Sequence, residues 1–235
     1  MKYKRILLKL SGESLIQEKQ YGFNENKLFD YAKQIKEVSE LGVQIAIVIG
    51  GGNIFRGVNG ISKGFDRIEG DQIGMLATVI NSLALSSALK KEGIEVKMFT
   101  SIKMDSIGYF YFKEDVIDAL NKKKVVILSG GTGNPFFTTD TASVLRAIEL
   151  NADIMLKGTH VNGVYDTDPK KNPKAVKFDR TSYDEIYNKD LKIIDLTAAA
   201  LAKSNHLQMI VFNMNIIGNL KKILYNKKIG TLITI

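Results

Sequence analysis

Two lysines stand where a lysine is costly. Lys9 comes near the end of the apolar run Tyr3 to Leu10 and is followed by Ser11 and Gly12; Lys157 closes the run Asp153 to Lys157 and is followed by Gly158 and Thr159. An ammonium at the end of a buried strand loses its hydration unless something anionic meets it, although a lysine that snorkels to the surface leaves the same trace in a sequence. A site for an anion is offered by the stretch Val125 to Leu145, VVILSGGTGNPFFTTDTASVL. Val125, Val126, Ile127 and Leu128 read as a buried strand, Gly130 and Gly131 let the chain turn sharply, and Pro135 keeps the loop extended. Thr138, Thr139 and Asp140 then supply cap-type side chains before the helical pattern Ala142, Leu145, Arg146, Ile148, Glu149. Free N–H groups at such a helix start, together with the dipole, favour a phosphate. The glycines could serve only a tight turn, but the polar and glycine-rich run Ser129 to Asp140 suits a ligand surface better than a core. Neither G-x-x-x-x-G-K-[ST] nor a complete G-x-G-x-x-G occurs, so a phosphate site here is of another kind.

A further glycine-rich exit follows the run Val43 to Ile49: Gly50, Gly51, Gly52, Asn53, Ile54, Phe55, Arg56, Gly57. Glycines let backbone donors approach a ligand closely, and the planar fork of Arg56 suits a phosphate. Arginine is scarce, and two of the five in the chain, Arg56 and Arg67, fall in this one segment. Asp71 opens a long helical pattern through Ile73, Leu76, Val79, Ile80, Leu83 and Leu89, where it is either a simple cap or a ligand carboxylate. His160 has no cysteine or second histidine beside it, which argues against a metal site.

The elements that must position these groups alternate. Strands are expected at Tyr3 to Leu10, Val43 to Ile49, Val96 to Thr100, Val125 to Leu128, Asp153 to Lys157, Gln208 to Asn213 and Gly230 to Ile235. Between them come a helix capped by Asn24 and stopped at Gly42, the helix from Asp71 to Gly93, and a short one at Asp115 to Leu120. The central helix follows, then one begun by the capping-box pair Ser182 and Glu185, one at Leu196 to Ala202, and one at Gly218 to Tyr225. This alternation predicts an α/β fold, a parallel sheet with helices on both faces, whose ligands lie at the strands' carboxyl ends. Every glycine-rich exit falls there.

At 235 residues and 45% hydrophobic composition the chain can bury a full core. It has no cysteine, so disulfides and thiolate metal sites are excluded, and MKYKRILLKL lacks the apolar region and cleavage site of a signal peptide. A cytoplasmic protein with no membrane segment is the expectation. The net charge of +8 is carried mostly by scattered lysines, which reads as a solvated surface that also collects anionic substrates rather than as a nucleic-acid face.

Five segments in order give the chain a close resemblance, over essentially its whole length, to the bacterial UMP kinases of the amino-acid-kinase superfamily. They are Lys9-Leu10-Ser11-Gly12-Glu13, the run Gly50 to Gly57, Asp71-Gln72-Ile73-Gly74-Met75-Leu76-Ala77-Thr78, the run Thr132 to Asp140, and Val211-Phe212-Asn213-Met214-Asn215. The resemblance implies an αβα sandwich with a mainly parallel central sheet, formed by residues 1–235 as one domain. Its N-terminal part would serve mainly UMP and its C-terminal part mainly ATP. It implies transfer of the ATP γ-phosphoryl group to UMP in pyrimidine nucleotide biosynthesis, in homohexamers, with Mg²⁺ accompanying ATP. By position, Lys9, Leu10, Ser11 and Gly12 would meet the ATP phosphates, Gly52 and Arg56 would border them, and Thr159, Tyr165 and Asp168 match the ATP-nucleoside side. Gly51, Thr132, Gly133, Asn134, Pro135, Phe136, Phe137, Thr138 and Thr139 would meet UMP, and Asp71 would hold its ribose. Asn162 and His160 depart from the family's usual Asp and Lys near the ATP base, so donor details are not carried over. Nor is regulation, since the Gln17 to Tyr21 loop is variable in type.

Phosphoryl transfer needs in-line positioning and cations around the spreading charge. A phosphate acceptor is mostly dianionic at neutral pH and requires no general base. Lys9 and Lys157 are then the expected catalysts, with Asp140 between them to orient their ammonium groups and no metal held by the protein itself. A kinase of an amino-acid or acyl carboxylate would share Lys9 and the glycine loops but lack Asp71 and the loop Thr132 to Thr139. A nucleotide-binding sensor without catalysis would have no need of both lysines.

Overall fold

The computed structural model describes residues 1–15, 24–55, 64 and 66–235. Arg56 and the loop Gln17 to Tyr21 therefore lie outside the described residues. Apolar runs that alternate between two buried faces build the middle of the sheet: β1 (Arg5–Leu10), β2 (Gln44–Ile49), β3 (Val96–Thr100), β5 (Val125–Ser129), β6 (Ile154–Thr159) and β8 (Met209–Asn213). Three short strands complete it, β4 (Tyr109–Phe110), β7 (Arg180–Ser182) and β9 (Thr231–Thr234). Among the described residues these form one sheet in the order β4-β3-β5-β2-β1-β6-β8-β9-β7. Pairing is parallel throughout except between β8 and β9, so β9 and β7 run against the rest at one edge.

Helices cover both faces. α1 (Glu25–Ser39), α2 (Arg67–Lys91) and α7 (Asn219–Leu224) pack on one side against Ile6, Leu8, Leu10, Ile45, Ile47 and Ile127. α3 (Lys113–Asn121), α4 (Thr139–Glu149), α5 (Tyr183–Asn188) and α6 (Leu196–Ser204) pack on the other against Leu7, Ala46, Val48, Val126 and Met155. This is the sheet covered by helices on both faces that the alternation predicted, and the αβα sandwich with a mainly parallel sheet that the resemblance implied. Consecutive strand residues feed opposite layers, as a period of two requires.

Local signals start and stop the helices. The Asn24 side chain accepts the Lys27 N–H at 3.1 Å to begin α1, and Gly42 takes the left-handed φ of 83° beyond its end. Ser182 caps α5 through the Glu185 N–H at 3.1 Å. The Glu185 carboxylate turns instead to the Thr181 hydroxyl at 2.7 Å, so the pair forms half of a capping box. α2 corrects the sequence reading: it begins at Arg67, with Asp66 as its cap through the Ile68 and Glu69 N–H groups. Asp71 is thus one turn inside the helix and is not its start.

Register fixes the site. β1 and β6 are neighbours, and Lys9 is the direct partner of Lys157 across the pair. Both side chains therefore leave the sheet on the same face, at its carboxyl edge, under the start of α4.

Candidate active site

Asp140, in the first turn of α4, stands between the two lysines. Its Oδ1 lies 3.0 Å from Lys9 Nζ, and its Oδ2 accepts a 2.6 Å hydrogen bond from Lys157 Nζ. Lys157 also donates to the Ile193 carbonyl. All three are nearly buried, with side chains 9, 9 and 15% exposed for Lys9, Lys157 and Asp140. Burial pushes the Asp140 carboxyl up, but the charges of Lys9 and Lys157 outweigh it and hold the group well below the usual carboxylate range. Burial pushes the Lys157 ammonium below the ordinary lysine value, against the opposing pull of Asp140. Two cations and one anion leave a net positive charge in a poorly hydrated place, which is a site built to receive an anion.

The helix that carries Asp140 is fastened at its start. Thr138 caps α4 through the Asp140 N–H at 3.1 Å, and its hydroxyl donates to Asp195 Oδ2 at 2.5 Å. Thr141 donates to the same carboxylate at 3.1 Å, and Asp195 Oδ1 in turn accepts the Ala198 N–H at 2.9 Å to cap α6. The short connection before α6 thus anchors both α4, through Asp195, and Lys157, through Ile193. Neither residue is marked in the sequence as more than a cap and an apolar neighbour.

Beside Lys9 and Asp140 opens a cavity of about 520 Å³. Its lining includes Ser11, Gly12, Gly51, Gly52, Asp71, Phe137, Thr138 and Thr139, bringing together residues from four separated segments. Two of these glycines are required by the packing of the loops on each other. A Cβ at Gly12 would come within 2.4 Å of the Gly50 carbonyl oxygen, and one at Gly51 within 2.7 Å of the Ala77 Cβ. The loops are clamped from below by Asn81, wholly buried on α2, which donates to the Gly50 carbonyl and to Asn53 Oδ1, each at 2.6 Å. Thr78, also on α2, accepts the Gly130 N–H at 2.8 Å and so ties the central loop to the same helix. Asp71 Oδ2 accepts the Phe136 N–H at 2.7 Å and the Arg67 Nε–H at 2.8 Å.

Other expected residues stand apart from this lining. Leu10 is fully buried and meets the site only through its carbonyl, which accepts the Gly50 N–H at 2.9 Å. Thr132, Gly133, Asn134 and Pro135 form the turn behind Phe136, where Thr132 Oγ1 accepts the Asn134 N–H at 3.1 Å. Thr159 closes a local turn with Val161 at the end of β6, Tyr165 bridges to Lys177, and Asp168 accepts the Lys170 N–H at 2.9 Å. Thr159 lies two residues beyond Lys157 on β6, and none of the three lines the cavity. Glu13, Phe55, Arg67, Gly74, Met75 and Thr78 line the cavity without having been singled out as contacts. Of these, Arg67 lies one turn before Asp71, ahead of the expected helix start, and Gly74, Met75 and Thr78 follow Asp71 on the same helix, whereas Glu13 and Phe55 belong to the segments after β1 and β2. Among the described residues no cluster of histidine and carboxylate suited to a metal ion occurs.

The model of the Amino acid kinase family matches residues 4–213. A uridylate kinase of Parabacteroides distasonis is 62% identical over 231 residues, which cover 98% of each chain. Among solved structures, a UMP kinase from Bacillus anthracis superposes with a TM-score of 0.95 at 38% identity, covering 100% of this chain and 97% of its own. A UMP kinase from Ureaplasma parvum does so with a TM-score of 0.92 at 35% identity, covering both chains fully at 100%. Lysines in register on β1 and β6, glycine loops packed backbone to backbone at the strands' carboxyl ends, and likeness along nearly the whole length agree, and the chain belongs to the amino acid kinase family.

Proposed function

We propose that this protein transfers the γ-phosphoryl group of ATP to UMP, giving UDP. The observation that carries the reading is the in-register pair Lys9 and Lys157 sharing Asp140 at the mouth of a cavity that Asp71 and the loop Phe137 to Thr139 also line. Likeness to uridylate kinases and UMP kinases over nearly the whole chain supports the choice of acceptor.

In the reaction an oxygen of the UMP phosphate bonds to the γ-phosphorus of ATP, while the bond from that phosphorus to the β,γ-bridging oxygen breaks. The acceptor oxygen is already ionised, so no side chain removes a proton. Lys9 and Lys157 neutralise charge that spreads over the equatorial and bridging oxygens in the transition state, and Asp140 keeps both ammonium groups aimed. Ser11 and Gly12 hold ATP phosphates with Lys9 and Leu10, and Gly52 and Arg56 border them. Thr159, Tyr165 and Asp168 serve the ATP nucleoside. Gly51 and the segment Thr132 to Thr139 hold UMP, and Asp71 its ribose, so residues 1–235 work as one unit with an acceptor half and a donor half. Mg²⁺ fits as a companion of ATP: Asp140 is already committed to two lysines, and this ion keeps its waters and substrate oxygens rather than an all-protein cage. When bound it supplies further positive charge at the phosphates. The setting is pyrimidine nucleotide biosynthesis in the cytoplasm, and the assembly a homohexamer.

A coupled assay with ATP and Mg²⁺ against UMP, CMP, dUMP, acetylglutamate and aspartate tests the reading. UMP is expected to be the preferred acceptor, with CMP poor. Equal turnover of CMP and UMP, or turnover of a carboxylate in place of UMP, would sink it.

A further inference from the structure

The notable feature of Asp71 is how one of its oxygens is occupied. Oδ2 receives both the Phe136 N–H at 2.7 Å and the Arg67 Nε–H at 2.8 Å, whereas among the described residues Oδ1 receives no hydrogen bond. The Asp71 side chain is 13% exposed and faces the cavity, as does Arg67. The Arg67 guanidinium carbon also lies 5.6 Å from the centre of the Phe136 ring. Phe136 holds a left-handed φ of 72°, which a non-glycine residue adopts only when its surroundings impose it. Phe136 is 64% exposed, so burial does not impose the conformation. Asp71 and Arg67 are the groups of α2 that hold it, the one through its N–H and the other beside its ring.

We propose that Arg67 is the positioning residue of the acceptor site: it and the Phe136 N–H together saturate Asp71 Oδ2, so that the carboxylate meets the ribose of the acceptor nucleotide through Oδ1 alone. The proposal rests on the UMP reading above. Arg67 and Asp71 are one turn apart on α2, the spacing at which side chains meet on a helix. A guanidinium can bond the carboxylate through Nε while its flat face lies over the ring, which an ammonium cannot do. The clamp therefore fixes three things together: the rotamer of Asp71, the strained turn at Phe136, and the approach of the loop to α2. Holding the carboxylate in one orientation before substrate arrives removes an ordering cost from binding and sharpens discrimination by a sugar hydroxyl.

The test is Arg67→Gln, with Arg67→Lys beside it, measured for kcat and KM with UMP and with dUMP and for thermal midpoint. In Arg67→Gln the KM for UMP should rise about 3- to 10-fold, the scale of one side chain left to be ordered on binding. The preference for UMP over dUMP should shrink by a similar factor, with a much smaller change in kcat and in the KM for ATP. Arg67→Lys should recover little of the preference, because charge alone does not supply the Nε–H bond to Asp71 Oδ2. A merely structural ion pair would lower the thermal midpoint and leave the UMP to dUMP ratio as in wild type, and that result would overturn the proposal. Failure of the UMP reading is distinct: in that case the wild-type protein itself neither binds nor phosphorylates UMP.

Discussion

Lys9, Lys157 and Asp140 form a unit in which one carboxylate is shared by two ammonium groups. Replacing either lysine by alanine removes one stabiliser of transition-state charge, and kcat should fall by about 10² to 10³ with little change in UMP affinity; a variant that keeps near-normal kcat would show that lysine to be structural. Asp140 acts through the lysines, and its effect has a direction in pH. Burial holds Lys157 below the ordinary lysine value, so the native state releases this proton earlier than the unfolded chain does, and activity that needs the ammonium should fall at alkaline pH below the usual lysine range. Asp140 favours the ammonium, so Asp140→Asn should move that limb to lower pH as well as reduce kcat. A pH–kcat profile that does not move on this substitution would separate Asp140 from Lys157. For stability the signs follow from linkage. The depressed Asp140 carboxyl contributes stability that is full above the unfolded carboxylate value and is lost as pH falls toward its folded value. The depressed Lys157 ammonium costs stability at neutral pH, and that cost is relieved as pH rises between its folded and unfolded values. At Asp71, a charge-assisted bond to a ribose hydroxyl contributes roughly 1.5 to 3 kcal/mol. Asp71→Ala should accordingly raise the KM for UMP by about 10- to 150-fold, leave the KM for ATP nearly unchanged, and bring the UMP over dUMP preference toward one.

Elements place these residues, and the sequence carried most of that placement. The central strands were legible because buried parallel strands are continuous apolar runs, and Lys9 and Lys157 stood out because each interrupts such a run at its end. Their direct pairing could not be read, since register and strand order are settled by long-range contacts. β4 and β7 were not legible: at two and three residues they are too short for any alternation to be seen. The antiparallel turn into β9 leaves no local mark, because a strand's direction does not change its composition. α2 was placed about one turn late, for Arg67, Glu69 and Gly70 look polar and breakable while Asp66 caps as well as Asp71 could. Asp195 shows the converse limit. Its cap role is local, but its bonds to Thr138 and Thr141 join α6 to α4 across more than fifty residues of sequence. Asp195→Ala should therefore lose more than a cap. As a cap alone its removal costs about 0.5 to 2 kcal/mol; if it also steadies the start of α4, denaturant midpoint and kcat should fall together, and Asp195→Asn should restore the first more than the second. A variant reduced in stability yet normal in kcat would confine Asp195 to the cap.

At the scale of the whole molecule, α2 has two apolar faces. One 18-residue window of this helix has a mean hydropathy of 1.4, enough by length and composition to cross a membrane, yet 56% of that window is buried inside the protein. Val79, Leu85 and Leu89 join the core against the sheet, whereas Leu76, Ile80 and Leu83 keep 44, 46 and 43% of their surface in water. The exposed three follow a spacing of four and then three residues and make one stripe. In the proposed oligomer this stripe would be covered by a second copy of α2, were the two related by a two-fold axis. Magnitude limits what it can do alone. Covering the exposed half of each side chain contributes roughly 1 kcal/mol, so the two stripes together give on the order of 6 kcal/mol. Association costs about 4 to 15 kcal/mol, so the stripe must be the centre of a wider contact. Ile80 lies mid-stripe, and Ile80→Lys would set two ammonium groups against each other across the axis while touching little of the monomer's own core. The expected result is a wild-type protein that sediments as an oligomer at micromolar concentration and an Ile80→Lys variant that sediments smaller, with its far-ultraviolet circular dichroism unchanged. A monomeric wild type would remove the oligomer, and a variant that keeps the wild-type size would move the interface to another surface.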